Sequence, residues 1–321
     1  MTMDLKPTLT DFEEAREALA GLIHRTPMFT SRSLSEKTGL EVWLKGENFQ
    51  KTGSFKPRGV FNKVLHLSDS ERRSGIITAS AGNCGQAVAY VAAHQKIPGY
   101  VVMPAGANRS KVSAVKEYGA EAILHGKLWD DAYSRSLELA DEKGLVYVHP
   151  FKDRFFMAGN GTMAFEILED VPDVEAVLIP IGGGGLFAGV STALKILKPG
   201  VRIIGVEPTG SANMYTSRKN GRSTDLDRVT TIADGLATKN TDPEVFEIIN
   251  AVADELAVVD DEAMLSAIPF LLERAKILAE TGGAATTAAL LGGVTSLPAG
   301  TRTVAVVSGG NYDVSGRMKL S

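Results

Sequence analysis

The sequence predicts an α/β protein with two open, largely parallel sheets that carry helices on both faces. Short apolar segments alternate with helical segments of about ten residues or more, which is the pattern of βαβ units. One run of such units covers roughly residues 53–146 and a second covers 174–310. With 321 residues, the chain is expected to form two domains. We predict a small domain at 53–146 inserted into a large domain made of 1–52 and 147–321.

In the first half of the chain, elements are predicted from capping, alternation and helical spacing. A cap-like start at Thr10 and apolar residues at helical spacing predict a helix that extends to Ile23. Residues 41–45 alternate in hydrophobicity, which predicts a strand. The other elements predicted in this half are strands at 75–79, 100–103 and 122–124 and helices at 86–95 and 110–118.

In the second half the apolar segments are longer. The segment 176–181 predicts a fully buried strand, and a glycine-rich loop after it leads into a helix predicted at 186–197. The other elements predicted here are strands at 202–206 and 303–307 and helices at 264–279 and 284–291. Because ligands of parallel α/β folds bind beyond the carboxyl ends of strands, the loops after these strands are the candidate site.

Composition argues against several classes of function. A net charge of −4 and a pI near 5.8, without a basic block, argue against nucleic-acid binding. Cys84 is the only cysteine, which excludes a disulfide framework and a cysteine-rich metal site and predicts a reducing, cytoplasmic location. Residues 176–194 carry no charge, but Pro180 and four consecutive glycines divide them, so we expect no membrane span.

The first candidate loop is 51–59, with the sequence Lys-Thr-Gly-Ser-Phe-Lys-Pro-Arg-Gly. Most lysines are simply exposed, but Phe55 offers an apolar wall beside Lys56. Desolvation disfavours the ammonium form and lowers the pKa of such a lysine, and a neutral amine can form a Schiff base. Taken alone, the segment is also compatible with an ordinary surface loop.

The second candidate loop, Ser80-Ala-Gly-Asn-Cys-Gly-Gln86, follows a predicted strand and opens a helix. Free backbone amides at a helix start, with the side chains of Ser80 and Asn83 beside them, suit a small carboxylate or phosphate. An ordinary helix cap with a flexible glycine approach explains the same residues.

The third candidate loop contains four consecutive glycines at 182–185. Such a run loses much backbone entropy on folding, so a purely structural role is the less favoured explanation. Its amides could hold a phosphate at the start of the following helix. The pattern Gly183-x-Gly185-x-x-Ala188, with Glu207 after the next strand, also fits a dinucleotide fingerprint. This loop alone does not distinguish a nicotinamide-dependent dehydrogenase from an enzyme with another phosphate-bearing cofactor.

The fourth candidate loop, Ser308-Gly-Gly-Asn311, comes directly after the last predicted strand. A plain turn explains it, and so does a hydroxyl group placed to bond a ring nitrogen without adding charge. Together the four loops resemble the fold-type II pyridoxal-phosphate enzymes, within the serine/threonine dehydratase and serine racemase branch. Further similar segments are Arg25-Thr-Pro-Met, Tyr118-Gly-Ala, His149-Pro-Phe, Gly159-Asn-Gly-Thr, Ala233-Asp-Gly and Glu280-Thr-Gly-Gly.

The resemblance runs from about residue 20 to 313 and implies a tryptophan synthase β-like fold whose large domain binds pyridoxal 5′-phosphate and whose small domain is mobile. Lys56 would bind the cofactor as a Schiff base and later remove the Cα proton of the substrate. The implied cofactor-binding residues are Phe55, Lys56, Asn83, Gly182, Gly183, Gly184, Gly185, Leu186, Glu280 and Ser308. The implied substrate-binding residues are Ser80, Ala81, Gly82, Asn83 and Cys84.

The implied reaction is removal of water from a 3-hydroxy amino acid, which gives a 2-oxo acid and ammonia. Ser308 would face the ring nitrogen as a neutral partner, which favours β-elimination over long-lived carbanion chemistry. Racemases of the branch carry a serine where this chain has Ala81. Because a methyl group cannot return a proton to Cα, Ala81 favours a lyase over the alternative, a serine racemase-like enzyme.

A second departure concerns Cys84, where the branch usually has histidine. A small packing residue is the more favoured role for this cysteine than a reactive thiol. Its small size would open space beside the substrate, and Phe151, Phe155, Phe156 and Trp129 are candidates to line a larger apolar pocket. We therefore predict a bulky 3-hydroxy amino acid, such as phenylserine, in preference to threonine.

The branch also binds a cation at positions that match Glu207, Ser211 and Asn213. The last position is usually acidic, and because hard divalent ions prefer carboxylates, Asn213 favours K⁺ over Mg²⁺. The alternative is that Glu207 only caps the turn at Pro208.

Three further expectations concern the whole protein. No counterpart of the regulatory domain of biosynthetic dehydratases follows residue 313, so we expect a catabolic enzyme. A non-catalytic amino-acid sensor on the same fold would bind the amino acid without turnover and would not need Lys56. The sequence does not determine the oligomeric state, and a homodimer is compatible with it.

Overall fold

A computed structural model describes residues 5–313, and within them the strands form a six-stranded and a four-stranded sheet. The strands are β1 Met28–Thr30, β2 Glu41–Gly46, β3 Ile76–Ala79, β4 Gly99–Met103, β5 Glu121–Leu124, β6 Val146–Tyr147, β7 Ala176–Pro180, β8 Arg202–Pro208, β9 Glu255–Val259 and β10 Arg302–Val307. The large sheet has the order β1-β2-β10-β7-β8-β9 and the small sheet the order β5-β4-β3-β6.

Helices cover both sheets. They are α1 Leu9–Ala18, α2 Arg32–Thr38, α3 Lys56–Leu65, α4 Asp69–Ser74, α5 Asn83–Gln95, α6 Arg109–Glu117, α7 Trp129–Lys143, α8 Arg154–Asp170, α9 Gly185–Leu197, α10 Asn213–Asn220, α11 Pro243–Val252, α12 Asp261–Phe270 and α13 Ala285–Leu291. Among the described strands, β1 pairs antiparallel with β2 and all other neighbours pair parallel. The predicted fold class is confirmed.

The first helix differs from its prediction at both ends. Its N-cap is Thr8, whose hydroxyl accepts from the backbone of Asp11 while the Asp11 carboxylate accepts from the Thr8 backbone. This reciprocal capping box starts the helix before Thr10. The helix ends at Ala18 and does not reach Ile23.

The helix predicted at 264–279 is also shorter. Regular α-helix ends at Phe270, and a π-helical turn at Leu271–Ala275 follows. Pro269 lies inside the last turn, and because proline cannot donate the intrahelical hydrogen bond, the regular ladder is interrupted there. Lys276 then ends the helical segment in the left-handed region at φ 60°.

The core is densely apolar on both faces of the large sheet. The apolar segment 176–194 divides into buried strand β7, the glycine loop and buried helix α9. No helix within residues 5–313 has the length and apolar character that a bilayer crossing requires. The second, third and fourth candidate loops directly follow β3, β7 and β10, so they lie at the carboxyl ends of these strands. All three strands run parallel to their neighbours, and this is the edge at which parallel sheets bind ligands.

Candidate active site

Lys56 is the first residue of α3 and points its amine toward the loop before α8. Its Nζ donates to the carbonyl oxygen of Pro150 at 2.9 Å. The same nitrogen lies 4.9 Å from the ring centre of Phe55 and 5.2 Å from that of Phe156. Desolvation by these surroundings lowers the pKa of Lys56, although nearby Glu280 acts in the opposite direction. The site therefore favours the neutral amine that a nucleophile or a base requires.

The turn before Lys56 is strained and is held in place by one side chain. Thr52 lies in the left-handed region at φ 60°, which is costly for a β-branched residue. The Nδ2 of Asn311 donates to the Thr52 carbonyl at 2.7 Å and to the Asn83 Oδ1 at 2.8 Å. Asn311 thus joins the first, second and fourth loops. The motif Ser308-Gly-Gly-Asn311 is visible in the sequence, but the motif alone does not assign a role to Asn311.

The second loop leads into the amino terminus of α5. Among the described residues no side chain caps this helix, and its N-cap is Gly82. The Ser80 hydroxyl accepts from the Gly82 amide at 3.2 Å. Asn83 donates to Glu280 Oε1 at 2.6 Å. Ser80, Ala81, Gly82 and Asn83 are half-buried, so the free amides at this helix start are accessible to a small anion.

Cys84 lies one residue further on and is only 4% exposed. It packs in the apolar core under the small sheet. Burial raises the pKa of its thiol, which disfavours the reactive thiolate. Burial also raises the pKa of Glu280, the acceptor of Asn83. Burial therefore disfavours the charged form of both the Cys84 thiol and the Glu280 carboxyl group.

The glycine loop leaves no room for side chains. Gly184 is the N-cap of α9 and has φ 96°, in the left-handed region. A Cβ on Gly185 would lie 2.6 Å from the Cα of Phe151, and one on Gly183 would overlap the Phe151 ring. Within residues 5–313 no side chain caps α9. Its first amides, including that of Leu186, remain for an anion, so the loop fits the phosphate of pyridoxal phosphate.

Two side chains hold the glycine loop from behind. Asn160 donates to the Gly185 carbonyl at 3.3 Å. The Nδ1 of His149 accepts from the Phe151 amide at 3.3 Å and the Lys152 amide at 2.8 Å. Burial lowers the pKa of His149 to about 4, so the ring is neutral and keeps this acceptor at ordinary pH. Because His149 fixes Phe151, it also fixes the floor of the glycine loop.

Ser308 lies at the carboxyl end of β10 and is 5% exposed. Its carbonyl accepts from the Phe55 amide at 3.1 Å. Its neighbour Gly309 forms a β-bridge with Ser54. The first and fourth loops are therefore joined through the hydrogen bond between Phe55 and Ser308. Lys56 is the next residue after Phe55 in the chain.

A buried charge network underlies α3 and was not predicted from the sequence. Arg58 binds Glu47 through contacts of 2.8 and 2.9 Å and Glu166 through contacts of 2.6 and 2.9 Å. Lys45 donates to Glu166 at 2.6 Å and to the Thr26 carbonyl at 2.7 Å. Two cations thus face two carboxylates, and the first turn of α3 is bound to α8 and to the turn that follows β2. Sequence alone shows charged residues at these positions but not that they are buried.

Two of the three proposed cation positions, Glu207 and Ser211, already use their side-chain oxygens in hydrogen bonds. The Glu207 carboxylate accepts from the amides of Met214 at 2.9 Å and Tyr215 at 2.7 Å, which are in the first turn of α10. Within the described chain, Asn213 Oδ1 is buried without a hydrogen-bond partner. The residues described also contain no group of three or more His, Cys, Asp or Glu that could hold a metal ion. A single carboxylate that already caps a helix does not fit Mg²⁺.

The predicted aromatic residues separate into two groups. Phe151 contacts the glycine loop and Phe156 lies against Lys56, as described above. Trp129 donates from its indole nitrogen to the carbonyl of Ala79, the last residue of β3, at 3.2 Å. Phe155 instead stacks on His66, with the two ring centres 3.9 Å apart and the Lys63 amine over the Phe155 ring. It forms the second group by itself, separate from Phe151, Phe156 and Trp129.

Comparison with known proteins defines the class. A family model described as pyridoxal-phosphate dependent enzyme matches residues 19–309, and the chain belongs to this family. It is 45% identical over 308 residues to an L-threonine ammonia-lyase of Thermotoga maritima, covering 96% of this chain and 76% of that protein. It is 39% identical over 316 residues to the catabolic L-threonine dehydratase of Escherichia coli K12, covering 98% and 96%.

Among solved structures, maize serine racemase matches with a TM-score of 0.93 at 34% identity, covering 96% of this chain and 94% of that one. The resemblance to the serine/threonine dehydratase and serine racemase branch is thereby confirmed. Within that branch the chain is a pyridoxal-phosphate-dependent ammonia-lyase of the hydroxy-amino-acid dehydratase type. The dehydrogenase and sensor alternatives are excluded, and Glu207 caps α10 where a dinucleotide enzyme would use it for a ribose.

Proposed function

We propose that this protein deaminates 3-hydroxy amino acids of the serine and threonine type, and that it prefers a bulky or aromatic substituent. The observation that carries the proposal is the Lys56 amine, desolvated between Phe55 and Phe156, in a fold where no described side chain caps the starts of α5 and α9. The names of the relatives from Thermotoga maritima and Escherichia coli support threonine-type substrates.

The residues divide the work between the two helix starts. The amides of the glycine loop would hold the cofactor phosphate, and Ser308 would be the neutral partner of the ring nitrogen. When bound, the cofactor supplies an electron-withdrawing ring that acidifies the substrate Cα–H. The amides after Ser80 would bind the substrate carboxylate, and Asn83 would help to hold the cofactor. The Lys56 amine, whose pKa desolvation lowers, accepts the proton from Cα.

Cys84 supports the preference for a larger substrate. Its side chain is much smaller than the histidine of the branch, and its raised pKa argues against a nucleophilic role. Cys84→Ala is expected to keep most of the activity. Cys84→His is expected to move the ratio of kcat/KM for phenylserine over threonine down by about tenfold, the scale of one or two misfit methylenes. An unchanged ratio in Cys84→His would remove this support.

A racemase is the second candidate, because maize serine racemase has a very similar fold. Ala81 disfavours it, since a methyl group cannot deliver a proton to the face of Cα opposite Lys56. We also propose that any cation bound near Glu207, Ser211 and Asn213 is monovalent, such as K⁺. Ammonia release measured in potassium buffer and after exchange into tetramethylammonium buffer tests that proposal.

The direct test of function is Lys56→Ala compared with Lys51→Ala, a lysine in the same loop that lies over the Tyr90 ring. Lys56→Ala should lose both ammonia release and the borohydride-sensitive absorbance band of lysine-bound cofactor. Lys51→Ala should keep both. Ammonia release from serine, threonine and phenylserine at near wild-type rates in Lys56→Ala would refute the assignment.

A further inference from the structure

Five aromatic side chains form a continuous row of ring contacts, called here the aromatic row. Trp129 and Tyr133 stack with centres 4.9 Å apart and planes 10° apart. Tyr133 meets Tyr147 edge-on at 5.7 Å, and Tyr147 meets His149 at 6.0 Å. His149 meets Phe151 edge-on at 4.5 Å. The members come from α7, β6 and the loop before α8, so local sequence does not explain the row.

The row begins and ends at the two loops of the active site. At its outer end, Trp129 is bound to the Ala79 carbonyl, directly before Ser80. At its inner end, Phe151 packs under the glycine loop. Between His149 and Phe151 lies Pro150, whose carbonyl accepts from Lys56. The row therefore extends from the carboxylate-binding loop to the phosphate-binding loop and passes beside the reactive amine.

We infer that the aromatic row is the wall that receives the Cβ substituent of the substrate, and that Trp129 and Tyr133 select an aromatic substituent. This inference rests on the proposed function, because the substrate carboxylate must lie at the loop after Ala79.

Three features support this assignment. The outer end is open, since Trp129 is 46% exposed despite its size. Aromatic rings prefer offset-stacked or edge-to-face neighbours, and the stacked Trp129–Tyr133 pair offers both a face and an edge. The Trp129 indole is also fixed in position, because its nitrogen donates to the Ala79 carbonyl at 3.2 Å, directly before Ser80.

A purely structural role for the row makes a different prediction. Aromatic pairs also stabilise helix packing, and Phe155 stacked on His66 is such a pair outside the site. If the row only supports α7, loss of either kind of pair should change stability and leave the choice of substrate unaltered. Phe155→Ala is therefore the matched control.

The first experiment measures kcat and KM of the holoenzyme variants with phenylserine and with threonine. Trp129→Ala and Tyr133→Ala should each lower the ratio of kcat/KM for phenylserine over threonine by about tenfold. Tyr133→Phe keeps the aromatic ring and should keep the wild-type ratio. Phe155→Ala should also keep it. If the ratio is the same in Trp129→Ala, Tyr133→Ala and Phe155→Ala, the inference is wrong. A wild-type enzyme that turns over threonine but not phenylserine would overturn the inference and leave the dehydratase proposal standing.

The second experiment needs no turnover. The chain has two tryptophans, so Trp43→Phe leaves Trp129 as the sole reporter. L-phenylalanine lacks the β-hydroxyl that is eliminated, and its binding to the Trp43→Phe holoenzyme should change Trp129 emission. It should bind about tenfold more tightly than L-alanine, and Tyr133→Ala should abolish that difference. Equal affinities of the two amino acids before and after Tyr133→Ala would overturn the inference even if the enzyme proved not to be a dehydratase.

Discussion

The glycine loop before α9 and the Ser80 loop before α5 share a local design but differ in their surroundings. Each follows a parallel strand, reaches its helix through glycine and, within the described residues, has no side-chain cap. A Cβ on Gly185 would meet the Phe151 backbone, whereas the described residues place no atom within 4 Å of a Cβ on Gly82. One loop is packed from behind and the other is open.

The difference matches what each loop is proposed to bind. A cofactor phosphate has one shape and remains in place, so a rigid, pre-formed set of amides binds it best. A substrate enters and leaves in every turnover, which an open loop permits. Asn83 donates to Glu280 and accepts from Asn311, and these two hydrogen bonds join the open loop to the rest of the site while the loop itself stays open.

The largest expected effect on cofactor binding comes from adding a methyl group to the packed loop. Gly185→Ala should weaken cofactor binding by about 10- to 100-fold, because the new Cβ meets backbone that cannot move aside. Gly82→Ala is the matched control and should keep cofactor affinity, with its effect limited to the KM for substrate. Absorbance titration of the apoenzyme with pyridoxal phosphate measures both. Equal losses in the two variants would break the comparison.

The largest expected effect on stability comes from loss of the buried charge network. Arg58→Met leaves Glu47 and Glu166 buried with too little positive charge, which should lower the free energy of unfolding by about 3–5 kcal/mol. Arg25→Met removes an exposed ion pair with Asp170 and should cost about 0–1 kcal/mol. Urea unfolding of both variants is the measurement, and similar losses would show that the network does not hold α3.

The floor of the packed loop should make the protein sensitive to acid. The pKa of His149 is about 4 when folded and about 6.5 when unfolded, so its contribution is present above pH 6.5 and is lost as the pH falls toward 4. The full change is about 3 kcal/mol. His149→Asn keeps an acceptor for the Phe151 and Lys152 amides without titrating. Urea unfolding from pH 7.5 to 4 should show a shallower decline in this variant, and an identical decline would contradict the role of His149.

The smallest expected effect lies in the open loop. Ala81→Ser places a proton donor where the branch's racemases carry one, so it should add slow racemisation of recovered substrate while the cofactor spectrum is unchanged. Chiral chromatography of L-serine incubated with each enzyme provides the test. Substantial racemisation by the wild-type enzyme would show that Ala81 does not decide between lyase and racemase.

Much of this architecture was predictable from short-range patterns. Alternating apolar segments and helical spacing predicted the parallel sheets, and four consecutive glycines after a buried strand predicted the loop that leads into α9, without any tertiary information. Errors occurred where a local signal was ambiguous, as at Thr10, where the capping box actually begins at Thr8. They also occurred where Pro269 interrupts a helix whose apolar spacing continues beyond it.

The fold class and the positions of the four loops can be predicted from the sequence, because each depends on neighbours within a few positions. Which groups meet across the chain depends on tertiary packing. The Lys56 amine and the Pro150 carbonyl are 94 residues apart, and Asn311 and the Thr52 carbonyl are 259 apart. The burial of Arg58 and the continuity of the aromatic row belong to the same class. These contacts depend on how helices pack onto two sheets, and a hydrophobic pattern records which face is buried but not which residues face each other there.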